Sequence, residues 1–327
     1  MIPESLKKYA FFRLPEPVVL MAVSILIMAA IMAYMQSYTW ASRQDYSFGY
    51  IMPLFAAYIL YDRWGRIRGY FGRPPSADFK NPGFSAAVSA GFGMLLAGGL
   101  ASYLLGAFYF GLTKNFAAPV FVISFGFSFT FYSLAFFAGS RNSAGERMGV
   151  RDRFAFASLF VFPAFGWLVS APLFSAWETE ISLFLLSKVA FVVYEIMDVL
   201  GYVITLQNNV ISFPNGQVGV ADACSGIRSL TACLFAGSFL AAVFLNKFWK
   251  KALMVAFSMF LAFFNNLLRA LFLSFWAYHY GPESISGAVH DYAGYVVMLM
   301  TVVELLMLMP LFQLSAVPKE FQGESGR

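Results

Sequence analysis

Apolar residues run in blocks of about 20, separated by short polar connections, near residues 18–36, 47–62, 84–105, 116–139, 154–172, 226–245, 252–277 and 291–311. A helix rising 1.5 Å per residue needs about that length to cross a hydrocarbon core roughly 30 Å thick. Spanning β-strands would instead alternate in polarity over about ten residues, and stretches such as Phe116 to Ala138 do not. The pattern therefore predicts an all-α, polytopic integral membrane protein of about eight transmembrane helices, forming a single membrane domain over residues 1–327. A soluble enzyme and a transmembrane barrel are both excluded.

Segment 181–200 is apolar in a different way. Glu180, Ser187, Lys188, Glu195 and Asp198 fall within about 100° of one another at 100° per residue, so the helix carries a polar stripe. This predicts an amphipathic helix at the membrane interface. The alternative, a ninth span, would carry Lys188, Glu195 and Asp198 into the bilayer at considerable cost. Between Gly201 and Ala223 the pattern shifts again. Val210, Ile211 and Phe213, then Pro214-Asn215-Gly216-Gln217, then Val218 to Ala221 predict a small hairpin on an Asn-Gly turn, lying on the outer side. No repeat, low-complexity tract or Pro/Gly-rich linker divides the chain.

Composition agrees with the pattern: 60% of residues are apolar and 12% charged, against roughly 25% charged in soluble domains. The net charge of +5 does not point to nucleic acid, because the basic residues gather at the ends of the apolar blocks, where they set topology. With both termini cytoplasmic, 17 of the 22 lysines and arginines fall on the inner side. Arg43, Lys114, Lys188, Arg228 and Arg269 are left to the outer side or the spans. Counting 181–200 as a span would move Lys247, Lys250 and Lys251 outside and weaken that asymmetry. Lys7, Lys8 and Arg13 precede an apolar segment without a small-residue cleavage site, which reads as a retained first span.

Reactive and ionisable side chains in such a chain need a reason. Cys224 sits in Asp222-Ala223-Cys224-Ser225-Gly226-Ile227-Arg228, where hairpin gives way to span. Asp222 is placed to cap the helix, which puts Cys224 in its first turn, and Arg228 follows four residues later on the same face. Unpaired N–H groups, the positive helix end and a cation all favour thiolate, the nucleophilic form, while Asp222 opposes it. The competing reading is that Cys224 simply packs as a small hydrophobe, the reading assigned to Cys233. On one helix the two sulfurs would lie about 13 Å apart, too far for a disulfide.

Arg269, in Asn265-Asn266-Leu267-Leu268-Arg269, lies within an apolar block. It either stabilises negative charge on a carbonyl oxygen or pairs structurally with Glu195, Asp198 or Asp222, or snorkels outward. Of the two histidines, His290 opens the last span at the depth expected for Cys224, and His279 follows Tyr278 at a helix end. Position favours His290 as the base. Cysteine, arginine and histidine come from three segments yet fall in the same outer half, a set sufficient for acyl transfer without metal or cofactor.

At these residues the sequence resembles the exosortase/archaeosortase family of multi-pass cysteine transpeptidases. The resemblance rests on Cys224-Ser225-Gly226, Asn266-Leu267-Leu268-Arg269 and His290 with Gly294 four residues on, in the family's order. Tyr46 to Pro53, followed by Tyr61-Asp62-Arg63, also resembles the family's second span, and similarity covers about residues 46–311. Where the family often has His-Gly this chain has Phe48-Gly49, so no catalytic role belongs there.

The resemblance implies Cys224 as nucleophile, Arg269 as oxyanion stabiliser and His290 as acid/base, with Asp222, Ser225, Gly226, Arg228 and Asn266 in support. It implies substrates that are secreted proteins bearing a C-terminal sorting tail of the PEP-CTERM kind, an unidentified acceptor at the cell surface, and membrane lipid as surroundings. The expected location is the bacterial inner membrane, with the site facing the periplasm or exterior. Two other classes stay open: a transporter whose polar path includes Arg269, Glu195 and Asp198, and a non-catalytic component of polysaccharide export. Spans 84–105 and 116–139 carry no charged residue, which disfavours transport.

Overall fold

The apolar blocks do form helices. In the computed structural model, which describes residues 14–76, 78–79, 81–113, 117–219, 227–285 and 287–313, the chain divides into two compact units, 1–174 and 175–327. The first contains α1 (Glu16–Ser42), a 3₁₀ helix (Gln44–Ile51), α2 (Met52–Asp62), α3 (Trp64–Phe71), α4 (Pro82–Leu112), α5 (Ala117–Ala138) and α6 (Val150–Ala157). A 3₁₀ turn (Ser158–Phe160) then leads into α7 (Val161–Val169). The second contains α8 (Ser175–Val199), strands β1 (Thr205–Gln207), β2 (Val210–Phe213) and β3 (Gly216–Gly219), α9 (Ile227–Phe244), α10 (Phe248–Tyr280), a 3₁₀ turn (Pro282–Ile285) and α11 (Ala288–Gln313).

Among the described residues, six helical stretches are long and apolar enough to cross a membrane: α1, α4, α5, the α6–α7 run, α10 and α11. They coincide with six of the eight expected blocks. The block at 47–62 is split, because Pro53 near the start of α2 cannot continue a helix arriving from before it, and the chain approaches as the tighter 3₁₀ form. At 2.0 and 1.5 Å per residue the two pieces together still rise about 32 Å. The block at 226–245 becomes α9, a shorter apolar helix over its described residues. Segment 181–200 lies within α8, which buries Leu186, Val189, Ala190, Val193 and Met197 and exposes Lys188, Glu195 and Asp198 on the other side. This matches the expected polar stripe.

The first unit is tied internally by polar groups that have partners. Gln36 of α1, with no exposed surface, donates to the Ser124 hydroxyl of α5 (2.6 Å) and the Trp167 carbonyl of α7 (3.1 Å), and accepts from Ser170 (3.1 Å). Tyr103 of α4 donates to the Met28 carbonyl of α1 (2.8 Å). Asn81 caps α4 by accepting from the N–H groups of Gly83 and Phe84, with Pro82 at the first position, where a missing N–H costs nothing. Helices α4 and α5 approach so closely that a Cβ on Gly126 would lie 2.2 Å from the Tyr103 nitrogen and one on Gly106 would lie 2.5 Å from the Ile123 nitrogen. Gly99 and Gly106 of α4 therefore serve backbone-to-backbone packing, while Gly91, Gly93, Gly98 and Gly111 face open space.

The run from α6 to α7 is broken at Ser158–Phe160. Pro163 has no N–H for the carbonyl four residues back, that of Leu159, and the guanidinium of Arg63 donates to that oxygen instead. Arg63, in the Tyr61-Asp62-Arg63 sequence, is 3% exposed. At the start of α6 a side chain from an earlier loop does the capping. Asp78 accepts from the N–H groups of Phe79 (2.9 Å), Val150 (3.1 Å) and Arg151 (3.5 Å) and from the Ser85 hydroxyl (3.4 Å).

In the second unit the expected hairpin is present with one more strand than its pattern announced. β2 and β3 pair antiparallel with Phe213 opposite Gly216, so the loop is Pro214-Asn215 and Gly216 already belongs to β3. The added strand β1 pairs with β2 across Asn208-Asn209, whose φ angles of +48° and +69° are those of a type I′ turn. Ile211, Phe213 and Val218 of this sheet are buried with Leu186, Val189 and Val193 of α8 and Ala270, Leu273 and Ala277 of α10. The sheet thus packs with the C-terminal third of α10, which begins one residue beyond Arg269.

Candidate active site

Two of the three residues expected to act together are brought together. Arg269 lies in α10, which packs along α11, and His290 lies in the first turn of α11. The Arg269 Nη2 donates to the main-chain oxygen of His290 at 3.1 Å. Both side chains are half-buried. The guanidinium also lies across Gly294: a Cβ there would be 3.4 Å from Nη2 and 3.6 Å from Cζ. A glycine four residues after the histidine is thus the place where the arginine passes over the neighbouring helix.

The expected nucleophile is not open to the same reading. Asp222, Cys224, Ser225 and Gly226, and the side chain of Arg228, lie outside the described residues. In the chain they join β3, which ends at Gly219, to α9, which begins at Ile227. Cys233, one and a half turns into α9, is buried at 8% exposure, as its packing reading required.

His279 sits in the last turn of α10 and is exposed, with its ring 6.0 Å from that of Tyr202 and 5.5 Å from that of Tyr278. Asn266 is buried at 5% exposure. Its neighbour Asn265, which the sequence reading passed over, bridges to α11: Nδ2 donates to Thr301 Oγ1 (2.8 Å) and Glu304 Oε2 (2.6 Å). The signal was available, since Glu304 is the sole charged residue of α11 after Asp291.

Chemically, the arrangement puts a cation at the first turn of a helix, the positive end of its dipole. Such a place stabilises an anion, including the oxygen of a tetrahedral intermediate. Among the described residues no group of three or more His, Cys, Asp or Glu side chains is set to hold a metal ion. The stretch Tyr46 to Pro53 is structural in character: Tyr46 is 1% exposed, and its hydroxyl accepts from the Leu173 N–H at 3.3 Å.

Comparison with known proteins bears on which chemistry this is. No curated protein and no solved structure matches the chain. The sequence model of one family, described as transmembrane exosortase, matches residues 40–307, about four fifths of the length. That range takes in the Cys-Ser-Gly, the Asn-x-x-Arg and the His290–Gly294 pair, together with every element from the first 3₁₀ helix to most of α11. This chain belongs to the transmembrane exosortase family.

Proposed function

We propose that the chain is a membrane-embedded cysteine transpeptidase that cleaves the C-terminal sorting tail of secreted proteins at the outer face of the bacterial inner membrane. The Cys224 thiolate attacks the scissile carbonyl carbon. Arg269 stabilises the resulting oxyanion, and protonated His290 gives its proton to the leaving amine as the C–N bond breaks. An acceptor nucleophile at the cell surface, deprotonated by His290, then attacks the thioester and releases Cys224 as thiolate. Both termini are cytoplasmic in this reading.

The observation that carries it is the Arg269–His290 pair in a chain of this family. Depth supports it too. Arg269 lies 18 residues beyond Lys251, a rise of about 27 Å, so with the lysines at the inner surface the guanidinium reaches the outer edge of the hydrocarbon. A substrate anchored by its own helix would present its scissile bond at that level.

The test is processing of a secreted reporter that carries a sorting tail and a C-terminal tag, in cells lacking the endogenous activity. Wild type removes the tag and Cys224→Ala, present in the membrane at equal level, does not. A transporter reading draws on Glu304, a carboxylate inside a span, and both it and a scaffold role would survive Cys224→Ala. Tag retained with wild type across several tails would remove the protease reading.

A further inference from the structure

Beneath the Arg269–His290 pair, the seam between α10 and α11 has a second polar level. Asn265 precedes Arg269 by one helical turn on the same face and has no exposed surface. Its amide nitrogen donates to both Thr301 and Glu304, and the Thr301 hydroxyl, 4% exposed, donates onward to the Val297 carbonyl at 2.8 Å. Asn265 Oδ1 is buried as well and takes no donor among the described residues. The amide therefore suits either form of Glu304: nitrogen donates to a carboxylate, and with the amide turned over, oxygen accepts from a carboxylic acid.

A carboxyl group inside a membrane helix is costly unless it does something there. Its partners show what this one does. The residues of α11 that face α10 at the two levels are His290, Gly294, Thr301 and Glu304, spaced three, four or seven apart along one stripe. Lipid tails are as apolar as the side chains between these levels, so apolar contact alone does not fix how far one helix slides or turns against the other. The upper level is sensitive to such movement, because Arg269 bonds to a main-chain oxygen and lies over a glycine.

The geometry points to Asn265, Thr301 and Glu304 as positioning residues. Their tie sets the register of α11 on α10 and thereby holds the Arg269 guanidinium beside His290. This role rests on the reaction proposed above, in which Arg269 and His290 meet the reacting atoms and the three deeper residues do not.

The experiment uses the full chain in lipid nanodiscs, with tail cleavage as one readout and amide hydrogen exchange at the start of α11 as the other. Glu304→Leu removes the acceptor, while Glu304→Gln keeps an acceptor oxygen without the charge. The expected result for Glu304→Leu is a fall in kcat of about tenfold or more with KM for the tail changed by less than about twofold, since misplacing a catalytic group by about 1 Å is enough. Exchange in the second turn of α11, where the amides are bonded within the helix, rises in the same variant. Glu304→Gln restores both readouts to near wild type, and Thr301→Val gives a smaller loss in the same direction should Glu304→Leu fail to fold.

Wild-type kcat in Glu304→Leu would overturn the proposal. So would a Glu304→Gln as impaired as the leucine variant, because the charge itself would then be required. Tail cleavage by wild type with exchange unaltered in Glu304→Leu overturns the tie and leaves the reaction standing. Absence of cleavage by wild type removes the reaction, and the positioning role with it.

Discussion

Arg269 is anchored on the backbone of His290, and the imidazole of His290 takes no part in that bond. The two side chains should therefore separate cleanly under mutation. His290→Ala keeps the carbonyl, and with it the Arg269 bond, and should lower tail cleavage by roughly 10²- to 10⁴-fold, the usual weight of a general acid–base group. Arg269→Ala removes the donor as well. It should lose roughly 10²- to 10³-fold in kcat and about 1.5–3 kcal/mol of stability, the range for hydrogen bonds to charged groups. Thermal unfolding in detergent beside the cleavage assay checks both, and an Arg269→Ala variant as stable as wild type would contradict the geometry.

The bed of that guanidinium makes a size-dependent prediction. At Gly294 a methyl would meet Arg269 atoms at 3.4–4.0 Å, ordinary contact distance. Gly294→Ala should retain most activity, whereas Gly294→Leu should displace the guanidinium and approach the loss seen in Arg269→Ala. A leucine variant as active as the alanine one would mean that Arg269 works from another position.

Arg63 and Pro163 form a second pair suited to a double-mutant cycle. With proline present, Arg63→Met leaves the half-buried Leu159 carbonyl without this donor and should cost about 1–3 kcal/mol. In a Pro163→Ala background the new N–H reaches the same oxygen. The arginine change should then cost less by about 1 kcal/mol, a coupling of the size seen between residues sharing one partner. Additive costs would show that the carbonyl is not what joins them.

Asp78 sets an acid limit on the first unit. Burial pushes its carboxyl upward, but the N–H groups of Phe79, Val150 and Arg151 and the Ser85 hydroxyl outweigh that and hold it below the ordinary value of 3.8. A carboxylate depressed in the folded state stabilises fully above its unfolded pKa, and that contribution is lost as pH falls through the folded one. Unfolding temperature should therefore decline below about pH 4 in wild type, and less steeply in Asp78→Asn, which lacks the titration. Parallel curves for the two would place the acid limit elsewhere.

How far the chain could be read in advance varied with the range of the interactions involved. Runs of apolar residues disclose helices because lipid-facing and core-facing positions are alike apolar, and six spans appear where they were expected. Boundaries were less legible. The last span but one is extended by several residues at each end, to Phe248 and Tyr280, because charged and aromatic residues continue a helix beyond the hydrocarbon.

β1 was missed because three residues hold too little pattern, although Asn208-Asn209 is a turn signal that could have announced it. For the candidate site, the charge-derived topology put Arg269 and His290 in the same outer half, and the structure sets Arg269 against the His290 backbone. What spacing could not say is which of two adjacent asparagines faces α11. A 100° difference in azimuth decides it, and only the position of the neighbouring helix makes one side matter.

Helices α4 and α5 carry no charged residue, touch through Gly106 and Gly126, and are joined by only four residues, 113–116. Such a pair satisfies its own close packing without help from any later part of the chain. During synthesis it is therefore suited to leave the insertion machinery as a ready-made hairpin, a fixed template in lipid before α6 and α7 have been translated.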